Sequence, residues 1–252
     1  STLFPYTTLF RSTNLADKNV TFVDLPGIYS LSPYSPEEVV SRDYVVNDRP
    51  DAVINLIDVT NLERSLYLTT QVLEAGRPVV VGLNMCDLLK ERGDVVDTEK
   101  LSQMLGVPVL EVSALRNTNL NELVKAGIEV ATKGDVPGGV SCFSPAVEAA
   151  LDTISAAIRD KCKPELVRWY AIKLFERDAD AIKALELSSD ELASLEDRIA
   201  SVEKERDDDS ESIITSDRYD WIATVMDACV KRAPKTLTRS QQIDRVVTNR
   251  VL

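Results

Sequence analysis

The chain has 252 residues, 44% of them hydrophobic and 28% charged, with 29 Lys and Arg against 41 Asp and Glu for a formal net charge of −12. That length and apolar content support one large domain or two smaller ones with real cores, and they exclude a disordered or fibrous chain. No apolar run approaches the ~18 residues of a membrane span, and the acidic balance argues against nucleic acid as a partner.

Histidine is absent, which removes His-based triads and His-ligated zinc. Four scattered cysteines, Cys86, Cys142, Cys162 and Cys229, form no C-x-x-C pair. They point to neither a disulfide framework nor a metal site, so a reducing setting is expected.

In chain order, short Val- and Ile-rich runs over 19–24, 52–58, 78–84 and 108–113 predict buried strands. Segments over 36–47, 62–76, 98–106 and 119–134 carry helical spacing. The first opens on Ser35 as N-cap, with Pro36 at the first helical position and Glu38 completing a capping box. Gly76 and Gly106 stand where helix C-terminal glycines belong. Strand–helix alternation with short connections predicts an α/β unit with a parallel sheet covered on both faces. Residues 136–145 are dense in Gly, Pro and Ser and read as a linker. Strand signals then stop: 146–160, 164–177, 189–206, 217–231 and a short basic stretch at 241–251 all read as helix, giving an all-α unit over 146–252.

Charge is uneven along this second unit. From Glu186 to Glu211 eleven acids meet three bases, a net of −8. The run reads as a solvated helix face plus a loop at Asp207, Asp208 and Asp209. From Lys231 to the end six bases meet one acid, a net of +5, which suits ordinary surface or a juxtamembrane segment.

Three patterns stand in order at predicted strand ends, the edge where open α/β sheets bind ligands. They are Asp24-Leu25-Pro26-Gly27, Asn84-Met85-Cys86-Asp87 and Ser113-Ala114-Leu115, and they resemble three of the five boxes of a GTP-binding G domain. In a DxxG box the carboxylate reaches Mg²⁺, commonly through water, and the glycine lets its N–H approach the terminal phosphate. In an NxxD box the aspartate accepts from guanine N1–H and the 2-amino group, where adenine offers the opposite pattern. The third box offers a backbone N–H to guanine O6. Single matches are weak: DxxG recurs at Asp135 and Gly138, and NxxD at Asn14 with Asp17 and Asn55 with Asp58. Taken alone, Asp24 or Asp87 reads as a turn residue; only the trio follows apolar strands in the right order. Met85 either fills an apolar gap or lies near one face of the base, and both can hold. Cys86 reads as a small buried residue, not an iron ligand.

The wider sequence narrows the resemblance. Residues 24–44 (DLPGIYSLSPYSPEEVVSRDY), 58–65 (DVTNLERS) and the Asn-Met-Cys-Asp box are similar to the ferrous iron transport protein B family. So are 168–177 (RWYAIKLFER), 218–221 and 243–250 in the helical part. The likeness covers about 14–252. It implies a P-loop NTPase-like G domain over 13–135, mainly parallel and incomplete at its N-terminus. A helical domain over 146–252 then leads to a membrane region that moves Fe²⁺. It further implies GTP or GDP bound by Asp24, Leu25, Pro26, Gly27, Asn84, Met85, Asp87, Ser113, Ala114 and Leu115, with Mg²⁺ held by Asp24 through water. The expected partners are guanine nucleotide and the iron-permeation region, with homo-oligomers allowed and nucleic acid excluded. The expected place is the cytoplasmic face of the membrane.

A G domain also needs a phosphate cradle, G-x-x-x-x-G-K-[ST], before its DxxG box, and this sequence has none. The nearest piece, Tyr6-Thr7-Thr8-Leu9-Phe10, lacks both the lysine and the glycines. Residues 3–12 (LFPYTTLFRS) resemble translated adapter sequence, so residues 1–12 are expected to be foreign and the gene model truncated. Without backbone amides and a lysine around the phosphates, the chain should bind GTP in the millimolar range at best, on the order of 4 kcal/mol. Ile28 follows Gly27 where a water-orienting Gln is common, so hydrolysis should be slow even in the parent, and no side chain is assigned as catalytic. Two other readings stay open: a G protein of another kind with a helical appendage, such as an RNA-associated GTPase, and a non-enzymatic helical interaction module.

Overall fold

A computed structural model describes residues 9–15, 18–32, 35–137 and 139–233. The first strands, β1 (Leu9–Leu15) and β2 (Lys18–Asp24), form an antiparallel hairpin in which Leu9 faces Asp24 and Leu15 faces Lys18. This corrects one expectation. The segment over 19–24 is a strand, but it pairs within its own two-stranded sheet and not with the parallel strands.

Helix α1 (Pro36–Asp43) starts where its capping box predicts, with Ser35 and Glu38 bonding reciprocally. A π-type turn over Tyr44–Asp48 extends it, and Arg49 ends the turn with φ of 59°. Strand β3 (Val53–Asp58) leads through a 3₁₀ turn, Val59–Asn61, to α2 (Leu62–Glu74). Gly76, with φ of +67°, then reverses the chain; any Cβ there would collide with the Glu165 carbonyl. Strand β4 (Val79–Asn84), α3 (Cys86–Arg92), β5 (Val95–Val96), α4 (Thr98–Leu105), β6 (Val109–Glu111) and α5 (Leu120–Lys133) complete the first unit. Gly106 and Gly134 cap α4 and α5 in the left-handed conformation.

The parallel sheet has the order β3–β4–β6, with Asp58 level with Asn84. Strand β4 is its centre, and its first five residues are all buried. That is why 79–84 reads as a continuous apolar run without alternation. The third strand is shorter than expected, three residues within 108–113.

The second unit holds α6 (Pro145–Ile158), a 3₁₀ turn at Pro164–Leu166, α7 (Val167–Phe175), α8 (Ala179–Ala184), α9 (Ser189–Arg206) and α10 (Ser210–Cys229). Two expectations change. Helix α10 begins at Ser210 and not at 217, because Asp209 accepts from the Ser212 N–H and caps it. The unit is also not wholly helical: β7 (Val230–Lys231) pairs antiparallel with β5, tying the end of α10 to the sheet-bearing unit. The basic stretch at 241–251 and residues 1–8 lie outside the described residues.

One apolar core runs through both units. Leu66 and Leu73 of α2, Leu101 of α4, Leu151 and Ile154 of α6, Phe175 of α7 and Ile214 and Ile222 of α10 are essentially solvent-free within it. Each such side chain contributes roughly 1.5–3 kcal/mol of transfer free energy. The acidic run is also less solvated than its composition suggests. Arg177 bridges Glu196 and Glu203 of α9 at 2.6 Å each, and α9 buries Leu195, Ile199 and Val202. No helix among the described residues is long and apolar enough to cross a membrane.

Candidate functional site

Parallel strands in the order β3–β4–β6 end on one edge of the sheet, so the segments that leave them start side by side. Asn84 is the last residue of β4. Met85 follows with φ of 68°, a left-handed conformation uncommon for a long side chain. Its carbonyl accepts from the Leu88 N–H at 3.0 Å, so the backbone turns into α3 within one residue and Asp87 falls in the first helical turn. Cys86 is buried, with its Sγ donating to the Leu83 carbonyl, as a packing residue should be.

Past β6, Ser113 and Thr118 exchange both backbone hydrogen bonds at 3.2 and 3.0 Å and close the intervening loop. Two contacts join this loop to the Asn84–Asp87 segment. The Ala114 N–H donates to Asn84 Oδ1 at 3.1 Å. Arg116 Nε lies 3.2 Å from Asp87 Oδ2, with another guanidinium nitrogen 3.8 Å from Glu91 Oε1. The Arg116 N–H donates to Ser113 Oγ at 3.2 Å, which fixes the backbone from which the side chain reaches Asp87. Thus Asn84, Asp87, Ser113 and Ala114 are brought together, with the apolar side chains of Met85 and Leu115 exposed beside them. Arg116 escaped the sequence reading because it lies one residue past the Ser-Ala-Leu box; its charge next to a box short of a cation was the available signal.

Asp24 closes β2 and is exposed. The Pro26 carbonyl accepts from Ser41 Oγ at 3.2 Å, and Leu25 packs against the main core. At Gly27 an added Cβ would meet nothing within 4 Å, and its φ is not positive. Neither packing nor backbone geometry demands glycine there. Beyond it the loop dives between α2 and α7. The Leu31 N–H and Ser30 Oγ donate to Gln71 Oε1 at 2.7 and 3.1 Å, and Lys173 Nζ donates to Ser32 Oγ at 2.9 Å. Leu31, Gln71 and Lys173 are all buried. Among the described residues, no hydrogen bond or ion pair ties Asp24 or Gly27 to the Asn84 and Asp87 loops.

One repeat of the short patterns has a local explanation. Asn55 donates from Nδ2 to Thr69 Oγ1 at 2.9 Å inside the core, and Asp58 caps the 3₁₀ turn through the Thr60 N–H at 2.8 Å. The other two, ending at Asp17 and Gly138, lie partly outside the described residues. No cluster of three acidic or thiol side chains that could hold a metal occurs among the described residues. A lone carboxylate such as Asp24 is nonetheless the protein's usual share of a Mg²⁺ site completed by phosphates and water. The donor and acceptor set also suits one base: a carboxylate at Asp87 and an N–H at Ala114 complement guanine's two donors and O6.

Comparison with known proteins places the chain in a family. A family model described as ferrous iron transport protein B matches residues 6–127, and one described as the FeoB cytosolic helical domain matches 143–231. The Fe(2+) transport protein A/Fe(2+) transporter FeoB fusion protein of Porphyromonas gingivalis is 38% identical over 258 residues, 97% of this chain and 30% of that protein. The Fe(2+) transporter FeoB of Salmonella typhimurium is 31% identical over 243 residues, 94% of this chain and 30% of that one. The chain therefore spans about 30% of the length of these relatives. Two solved structures of S. thermophilus NFeoB are similar at a TM-score of 0.80. One, bound to GDP, AlF4⁻ and K⁺, is 40% identical and covers 88% of this chain and 87% of its own. The other, bound to mGMPPNP, is 37% identical and covers 94% and 91%.

Proposed function

The chain belongs to the ferrous iron transport protein B family, and on that premise we propose that it binds the base of a guanine nucleotide between its Asn84–Asp87 and Ser113–Leu115 loops. The observation that carries this is the convergence of Asp87, Asn84 and the Ala114 N–H, joined across two loops at 3.1 Å. Asp87 accepts from guanine N1–H and the 2-amino group, the Ala114 N–H serves O6, and Met85 and Leu115 cover the faces of the ring. Asp24 would hold Mg²⁺ through water and the Gly27 N–H would meet the terminal phosphate, with Leu25 and Pro26 seating that turn. Mg²⁺ supplies charge neutralisation along the phosphates; the side chains named here bind and orient, and none moves a proton.

The longer relatives are named Fe(2+) transporters, and we infer that this part acts as the guanine-nucleotide-responsive piece of such a transporter on the cytoplasmic side. The helical unit passes the state of the loop after Gly27 toward the membrane region. Ile28 leaves the attacking water without a side-chain amide, which makes hydrolysis slow. A sequence without G-x-x-x-x-G-K-[ST] also lacks most of the electrostatic grip on phosphates, so the affinity of this chain for GTP is millimolar, about 4 kcal/mol.

The base pocket is testable without phosphates. Guanosine added to isotopically labelled protein should shift the amide signals of Asn84, Asp87 and Ala114, and adenosine should not. Equal shifts with both nucleosides, or none, remove the guanine assignment. Calorimetry giving micromolar GTP binding would overturn the weak-affinity part alone.

A further inference from the structure

The contact between Arg116 and Asp87 has a chemical meaning that its surface position conceals. The Watson–Crick edge of guanine, N1–H and the 2-amino group on one carbon, is a cyclic guanidine. A carboxylate shaped to accept from that edge is therefore also an acceptor for the arginine guanidinium, which offers the same planar array of N–H donors. Here Arg116 Nε stands 3.2 Å from Asp87 Oδ2. The second base-reading group is occupied in the same way, because the Ala114 N–H that suits O6 donates to Asn84 Oδ1 at 3.1 Å. Both polar faces of the pocket are thus satisfied within the chain.

We propose that Arg116 is a built-in competitor for guanine that occupies Asp87 until the base displaces it; the inference rests on the guanine reading above. Backbone geometry supports a swinging plug. The Arg116 N–H is held by Ser113 Oγ, whereas its side chain is 61% exposed against 18% for Asp87 and has Glu91 as an alternative acceptor 3.8 Å away. The side chain can leave Asp87 for Glu91 and solvent without moving the loop. An exposed pair of this kind is worth about 0.2–1 kcal/mol, so the competition is modest, up to about fivefold in affinity, and screened by salt.

The test uses the chain as it stands, with guanosine as the probe. Arg116→Ala should tighten guanosine binding up to about fivefold, leave adenosine unchanged, and lose its advantage as salt is raised toward about 1 M, where the Debye length is about 3 Å. In an Asp87→Asn background the same substitution should give no gain. Independently of any ligand, Arg116→Ala should shift the ¹³C signal of the Asp87 carboxylate. Equal guanosine binding by both proteins, with that signal unmoved, overturns the competition and leaves the guanine reading standing. Weaker binding by Arg116→Ala also overturns it, by showing that Arg116 orients the carboxylate for the base. If guanosine perturbs neither protein at the Asn84, Asp87 and Ala114 signals, the guanine reading falls and the competition with it.

Discussion

Arg218 offers the sharpest test of how the two units are joined. It lies on α10 at 1% exposure, donating to Glu74 of α2 at 2.8 and 3.1 Å and to Thr70 Oγ1 at 2.7 Å. The Tyr67 and Phe143 rings stand 5.7 and 5.1 Å from its guanidinium carbon. Burial works against the cation, but the Glu74 charge outweighs it and holds the guanidinium more firmly protonated than usual. Arg218→Met keeps much of the volume and leaves Glu74, itself 1% exposed, without its hydrogen-bonded counter-charge. Removing one member of a buried pair costs about 3–5 kcal/mol. At about 2–4 °C per kcal/mol for a chain of this size, the melting temperature should fall by roughly 6–20 °C. Glu74→Met added to Arg218→Met removes both charges. Thr70 Oγ1 keeps its bond to the Tyr67 carbonyl, and the unpaired Arg218 Nε disappears, so most of the loss should be recovered. Urea unfolding followed by circular dichroism and by Trp169 and Trp221 fluorescence reads both effects. A single substitution costing under about 1 kcal/mol, or a double variant no better than the single one, refutes the argument.

Gly27→Ala should fold as well as the parent, with stability changed by no more than about 1 kcal/mol, because the site has room and an ordinary φ; a large drop in melting temperature would show that glycine is structural there. Burial, aided by the Glu74 charge, pushes the Cys142 thiol up to about 12. Native protein at pH 8 should therefore leave Cys142 unlabelled by thiol reagents, and stability should fall as pH rises from about 9, where the unfolded thiol ionises and the folded one does not. Mass mapping of labelled peptides checks the first point and alkaline unfolding the second. Burial alone would raise the Asp217 carboxyl, but Arg206 at 2.7 Å and the Ser144 N–H at 2.8 Å hold it below the usual range. Its contribution is present above the unfolded value near 3.9 and is lost as pH falls through the folded one, so Asp217→Asn should flatten the acid limb of a stability–pH curve below about pH 4.

What the sequence made legible follows from the range of the interactions involved. The starts of α1 and α9 were readable because each is set within four residues, by the Ser35–Glu38 box and by Ser188 with Glu191. Order and strand context set the three boxes apart from the repeats, one of which, Asn55 with Asp58, proves to be a core bond and a cap, although Asp24 ends a strand outside the parallel sheet. The pairing of β2 was hidden, since alternation of strands and helices says nothing of which neighbour the first strand takes. Helix α3 is only seven residues long, too short for its period to show. The β5–β7 pairing joins residues more than 130 positions apart. Only the fold shows that Arg218 lies in the core and that Arg116 stands beside the Asp87 carboxylate.

The loop after Gly27 then sets a limit on what nucleotide can do to this chain. Unseating it means exposing Leu31, worth roughly 1.5–3 kcal/mol, and releasing the bonds to Gln71 and Lys173, each worth about 0.5–3 kcal/mol. A ligand shifts such an equilibrium only by its difference in affinity for the two states. On the proposed millimolar affinity, about 4 kcal/mol in all, the proposed phosphate contact at Gly27 does not suffice to open the loop. GTP with Mg²⁺ should accordingly perturb the Asn84 and Ala114 amides while leaving the Leu31 methyl signals in place. A Leu31 shift as large as that at Ala114 would show that the loop is held far more weakly than its bonds imply. In a relative carrying a complete phosphate cradle, which adds binding free energy at the phosphates, the same methyl groups should move when the terminal phosphate binds.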